Sequence, residues 1–180
     1  MSDYSSVFGA YQLKEPIKNS TVQVTTLQDY KPCSVHEVAN WFLSQESMSH
    51  KKLQKLCYYV QAWGFALLNT RIINTFFEAW VHGPVSPELY NEYREFYWLT
   101  IPKCECRPTF RREIEEVIQG VWERYGSFDG DELESLTHDE LPWTEQRINL
   151  APETPSHAVI SETTMRAFYC SLIDSVQGEC

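Results

Sequence analysis

The chain is poor in glycine and methionine, with seven and three among 180 residues, and it has no long apolar run. Its glycines never form a loop followed by Lys-Ser or Lys-Thr, which excludes a phosphate-cradling P-loop, and no dinucleotide-binding fingerprint is present. No uninterrupted apolar stretch approaches the ~20 residues of a membrane span, and the N-terminal segment holds none of signal-peptide length, so no membrane association and a cytoplasmic location are expected. Positive charge is scarce: 15 Lys and Arg face 25 Asp and Glu, for a net charge of −10. The deficit falls after residue 70, where nine Lys or Arg stand against twenty acids, which argues against direct nucleic-acid binding. The six cysteines, at 33, 57, 104, 106, 170 and 180, follow no disulfide framework and read as free thiols. Cys104-x-Cys106 lacks a second Cys or His pair at zinc spacing, so neither a metal nor a cofactor is expected.

Apolar and aromatic residues are plentiful, at 43% and 14%, enough for one domain that buries ~70% of its unfolded surface. The longest helical period lies in residues 49–67. There Leu53, Leu56, Cys57, Val60, Trp63, Gly64 and Leu67 recur at spacings of three and four and predict a helix with one buried face. Ser49 is its N-cap, with Met48 and Leu53 as a hydrophobic staple. Residues 71–81 are β-branched and aromatic and read as a small hairpin turning at Asn74-Thr75. Gly83-Pro84-Val85-Ser86-Pro87 is a stop and restart. Gly83 can take φ > 0, Pro84 fixes an extended path, Ser86 caps the next helix and Pro87 fills its first position.

Residues 1–32 lack helical periodicity. They read as an arm with one edge strand at 21–27, either a disordered leader or a segment that packs on the domain or its partner. Residues 33–180 form the helical domain. Ser34-x-x-Glu37 is a capping box that opens a helix striped by Val35, Val38, Ala39 and Phe42. Beyond Tyr90 the next helix runs to Tyr97, and Pro102 closes it off. Thr109 opens another, along Phe110, Ile114, Val117, Ile118, Val121 and Tyr125, and Gly126 ends it. Asp131-x-x-Glu134 caps a short helix, and Thr137-His138 leads into one with Pro142 in its first turn. A staple of Ile160 on Met165 opens the last, striped by Phe168, Tyr169, Leu172, Ile173 and Val176. The expected fold is mainly α, a single compact domain of about seven helices with one short β-hairpin.

Candidates for chemistry are scattered. On an alternating strand Glu78, Trp80 and His82 share a face, where the carboxylate can orient the imidazole for acid–base work. The plainer reading is preferred because no activated nucleophile is implied: Glu78 accepts backbone hydrogen bonds near Gly83-Pro84. His138 beside Asp139 is read as capping the helix of Pro142 and Trp143. Lys51, Lys52 and Lys55 sit in the first turns of a helix, where cations oppose the macrodipole. They are either a solvated face or the complement of an anionic groove on a partner. Between residues 113 and 145 eleven acids stand with one Arg, a candidate anionic surface. Trp80 and Trp143 are either core anchors or interface hot spots.

Lys-Leu-Gln-Lys-Leu at 52–56, Glu-Ala-Trp at 78–80, Gly-Pro-Val at 83–85, Thr-His at 137–138 and Pro-Trp at 142–143, in this order, resemble the Panacea domain of phage-associated, SocA-like antitoxins. The resemblance runs from Ser34 to Val176. It implies a mostly helical, non-enzymatic protein that binds and silences a cognate toxin in a bacterial or phage toxin–antitoxin pair. A second mode implied by the family is an adaptor that delivers the toxin to an ATP-dependent protease. The residues themselves leave a third reading, a hydrolase using His82 and Glu78. The expected partner-binding residues are Lys51, Lys52, Lys55, Trp80, His82, His138 and Trp143. Glu78, Gly83, Pro84, Ser86 and Pro87 are expected to shape the motif turn.

Overall fold

A computed structural model describes residues 30–177, with side chains as far as Ile173. The edge strand expected at 21–27 lies outside the described residues. Seven α-helices follow in order: α1 Val35–Leu43, α2 His50–Leu68, α3 Pro87–Tyr93, α4 Arg112–Tyr125, α5 Gly130–His138, α6 Leu141–Glu145 and α7 Glu162–Gln177. Four short strands form two antiparallel pairs, β1 Met48–Ser49 with β4 Thr100–Ile101 and β2 Glu78–Trp80 with β3 Gly83–Val85. The chain is mainly α.

The expected central helix is α2, and Ser49 caps it by accepting from the Lys52 N–H. The one-face prediction fell short, however, because α1, α3, α4, α5, α7 and β3 all pack on α2 and bury it on every side. Lys52, Gln54, Lys55 and Gln61 are therefore interior along with the apolar stripe. Burying such groups costs several kcal/mol unless they are hydrogen-bonded, and each side chain has at least one partner, although the Gln61 amide nitrogen is left without one. Lys52 donates to Glu46 and to the Gly126 carbonyl, and Gln61 accepts the Ile73 N–H.

The hairpin expected at 71–81 does not form. Ile72 and Ile73 are both fully buried, a pattern no two-faced strand over solvent gives. Gly64 makes room for Ile72, whose Cδ1 lies 2.5 Å from where a Cβ at Gly64 would stand. Ile73 instead bridges Cys33 in parallel. The hairpin sits one step later, with Glu78 opposite Val85 and Trp80 opposite Gly83. Residues 158–160 run along its outer side, where Ala79 donates to Ala158 and Ile160 to Phe77.

Other boundaries moved for local reasons. The capping box at Ser34 and Glu37 is present, but α5 is boxed by Asp129 and Glu132 rather than Asp131 and Glu134, because both acids of the later pair bond Lys51. Helix α3 ends at Tyr93 and gives way to a 3₁₀ turn, Arg94–Phe96, short of the expected Tyr97. Helix α4 starts at Arg112 without a side-chain cap, and Gly126 ends it in right-handed geometry rather than left-handed. His138 and Asp139 do not cap α6: Glu140 occupies that position without a side-chain bond, and Asp139 closes α5.

Candidate functional site

The motif residues converge on the turn between the hairpin and α3. Gly83 has φ +91°, the left-handed region that a Cβ penalises, and a Cβ there would stand 2.6 Å from Lys55 Cε and 2.8 Å from Thr137 Oγ1. Gln54 receives the Ser86 N–H at 2.9 Å and donates to the Ser86 carbonyl at 3.3 Å. Lys55 Nζ donates to the Pro84 carbonyl at 3.2 Å. Ser86 in turn caps α3, with Pro87 in the first turn. The Leu-Gln-Lys-Leu and Gly-Pro-Val motifs are thus two halves of one clasp. Behind it, Trp143 donates its indole N–H to the Trp80 carbonyl at 2.9 Å and stacks on His138 at 3.9 Å.

The electrostatics of this region follow from burial. Desolvation pushes Lys55, which is 1% exposed, down to about 7, with the nearby Lys51 charge acting the same way against Glu134. Burial, reinforced by the charge of Lys55, brings His50 down to about 4, so its ring is neutral near pH 7. Its Nε2 lies 3.0 Å from the Gln54 amide nitrogen. Burial also acts on Lys51, but its bonds to Asp131 and Glu134 outweigh that and raise it. The same pairing, with His82, holds Glu134 below the ordinary carboxylate range against desolvation.

The other carboxylate candidate is arranged differently from its sequence reading. Glu78 Oε2 accepts the Trp80 indole N–H at 2.6 Å and lies 2.7 Å from His157 Nδ1, so its partners are side chains and not turn backbone. His82 does not meet Glu78; it faces Glu134 at 3.0 Å. The Glu78 and His82 pairing behind the hydrolase reading is therefore not assembled. Glu140 was missed among the acids. It is 5% exposed and accepts from Tyr59 at 3.2 Å and Tyr169 at 2.6 Å, and desolvation raises it to about 7. Arg147 was also missed: buried, it ties Ala79, Pro152 and Thr154 by their carbonyls. Neither has a periodic neighbour that marks it in sequence.

Outside the clasp a groove of about 540 Å³ opens between α2, the hairpin and the segment after α3. Of the residues singled out in sequence, Lys51, Lys55, Trp80 and His82 line it, whereas Lys52, His138 and Trp143 do not. Sequence reasoning missed the rest of the lining, above all Tyr90, Arg94, Tyr97 and Trp98. Trp98 is 91% exposed and Tyr97 69%. Tyr97 carries φ +50° and ψ −110°, a strained backbone for a bulky residue. The segment is held at both ends, since Tyr97 donates to Arg94 and Leu99 to Phe96, and β4 pairs with β1 just after it. Among the described residues no group of three or more His, Cys, Asp or Glu is placed to hold a metal ion. No described helix is long and apolar enough to cross a membrane.

Fold and site together define a small, mainly α-helical domain whose charged and amide motif residues brace one turn beside an aromatic-walled groove. The chain belongs to the family described as antitoxin SocA-like, Panacea domain, whose model matches residues 53–144, just over half its length. Those bounds enclose the clasp, the hairpin and the Pro-Trp of α6. No curated protein and no solved structure matches this chain.

Proposed function

We propose that this protein is the antitoxin of a toxin–antitoxin pair, acting in the cytoplasm by binding its cognate toxin directly, without a cofactor or catalysis, and that the groove beside the clasp is the toxin-facing surface. The observation that carries the reading is the row of aromatic side chains left in water at the groove, with Trp98 and Tyr97 the most exposed. Large aromatics held on a braced frame are the usual anchors of protein interfaces, and they lose little conformational freedom on binding. Family membership supplies the antitoxin side of the proposal.

Among the residues singled out in sequence, Trp80 and His82 serve this surface from the hairpin, and Lys51 and Lys55 from α2. Lys52, His138 and Trp143 support it from behind through their contacts to Glu46, Gly126 and Trp80. The test is co-expression with the growth-arresting product of a neighbouring reading frame. Wild type is expected to restore growth and to co-purify with the toxin in a stoichiometric complex. Trp98→Ala is expected to keep its fold and lose both. Rescue that requires an ATP-dependent protease and leaves no stable complex would replace occlusion with delivery to proteolysis, and a metabolic neighbour with no growth arrest would overturn the antitoxin reading.

A further inference from the structure

Lys55 is the unusual group in the groove. It lines the cavity, yet its side chain is among the largest fully buried in the protein. An ammonium offers three donors, and among the described residues the Pro84 carbonyl is the one acceptor this ammonium reaches. The other cations of the groove are already occupied, Lys51 by Asp131 and Glu134 and Arg94 by Glu95. Cationic groups nevertheless outnumber acids along the lining, where Glu95 is the only carboxylate, in a chain whose net charge is −10. Around this charge stand Trp80, Tyr90 and Trp98, with Tyr90 stacked on His50 at 5.4 Å and tilted against Trp80 at 4.8 Å.

A buried donor with unused protons at the base of an apolar cleft is matched by an acceptor that arrives with its own apolar cover. We infer that the groove takes a peptide segment of the toxin in which an Asp or Glu carboxylate reaches Lys55 while flanking apolar side chains pack between Trp80, Tyr90 and Trp98. The inference rests on the groove being the toxin-facing surface and adds what the toxin must present there. A carboxylate is favoured over a phosphodiester strand because one buried ammonium suits one anion, whereas a nucleic-acid backbone calls for a row of cations along a track. Arrival of the carboxylate completes the protonation of Lys55, which burial, with the Lys51 charge, holds down to about 7.

The probe is a capped peptide with one Glu between Leu and Phe, titrated into the full chain by calorimetry beside two counterparts, one with Gln for Glu and one with Ser for both apolar residues. The Glu peptide is expected to bind roughly tenfold or more tightly than the Gln peptide, the scale of a desolvated charge-assisted hydrogen bond. Lys55→Met is expected to abolish that ratio, and Trp98→Ala to weaken the Glu and Gln peptides alike with an unchanged thermal melt. Should Lys55→Met fail to fold, the wild-type ratio and Trp98→Ala still decide. Equal affinities for the Glu and Gln peptides, absence of binding by the Glu peptide, or tighter binding of the Ser peptide or a short RNA oligonucleotide each overturn the inference. Growth rescue by wild type alongside such a result removes only the acidic-segment inference; peptide binding without rescue removes the antitoxin reading instead.

Discussion

Two buried ionisable residues, one acid and one base, make opposite predictions about stability against pH. Burial raises Glu140 from an ordinary 4.5 to about 7, so the folded state holds a proton that the unfolded chain has released. Its contribution is fully present below about 4.5 and is lost as pH rises through about 7. Lys55 is depressed from 10.5 to about 7, so its contribution is present above 10.5 and lost as pH falls to about 7. The expected outcome is that Glu140→Gln removes a fall in unfolding free energy between pH 4.5 and 7, on the order of a few kcal/mol. Lys55→Met removes a rise between pH 7 and 10.5. Denaturant titrations across pH, read as wild type minus variant so that the opposing His50 contribution between about 4 and 6.5 cancels, check both. A flat difference curve for Glu140→Gln would show that the tyrosine hydroxyls of Tyr59 and Tyr169 already hold the carboxylate charged.

At the scale of the element, the clasp between α2 and the turn before α3 is the feature most fully legible in sequence and also the one most misread in role. Gly83, Ser86 and Pro87 show their purpose in the chain because each acts through its own backbone: a positive φ, a cap, a fixed first turn. Lys52, Lys55 and Gln54 act through carbonyls and an amide distant in sequence, and no local pattern distinguishes a buried lysine from a solvated one. The hairpin was displaced for the same reason, since Asn74-Thr75 has good turn chemistry but the long-range bridge from Cys33 to Ile73 takes the strand that would have paired. The clasp predicts two distinct losses. Gly83→Ala places a methyl against Lys55 and Thr137 at a disfavoured φ and is expected to cost more than the ~1 to 2 kcal/mol of the dihedral alone. Gln54→Leu keeps the volume but strands the Ser86 N–H in the interior, while the Ser86 carbonyl keeps the Tyr90 N–H as donor, for a loss of about 1 to 3 kcal/mol. Chemical denaturation measures each, and an unchanged midpoint for Gln54→Leu would mean that water replaces the amide at Ser86.

Across the whole molecule, the acidity legible in sequence divides into acids spent on the fold and acids left to solvent. Between residues 113 and 145, Glu115 bonds Trp41 and Arg107, Glu116 bonds Arg112, Asp129 and Glu132 box α5, Asp131 and Glu134 hold Lys51, and Glu140 is buried. The stretch is therefore not one bare anionic face. Besides Asp129 and Glu132, whose carboxylates are spent on the cap of α5, Glu123, Asp139 and Glu145 are the exposed acids there with no ion pair among the described residues. Such groups act at long range: they speed encounter with a basic partner and are screened by salt, whereas desolvated aromatic anchors set how long the complex lasts. Replacing Glu123, Asp139 and Glu145 with Lys is accordingly expected to slow toxin association severalfold at low salt, to lose that effect near physiological salt, and to leave dissociation unchanged. Trp98→Ala is expected to do the reverse, raising the dissociation rate by about tenfold or more, as removal of a hot-spot aromatic does, at every salt concentration. Surface plasmon resonance of the purified pair at two ionic strengths separates the two rate constants. If Trp98→Ala leaves dissociation as slow as wild type while the charge-reversed variant accelerates it, the toxin rests on the α4 to α6 side of the molecule and the groove is not its seat.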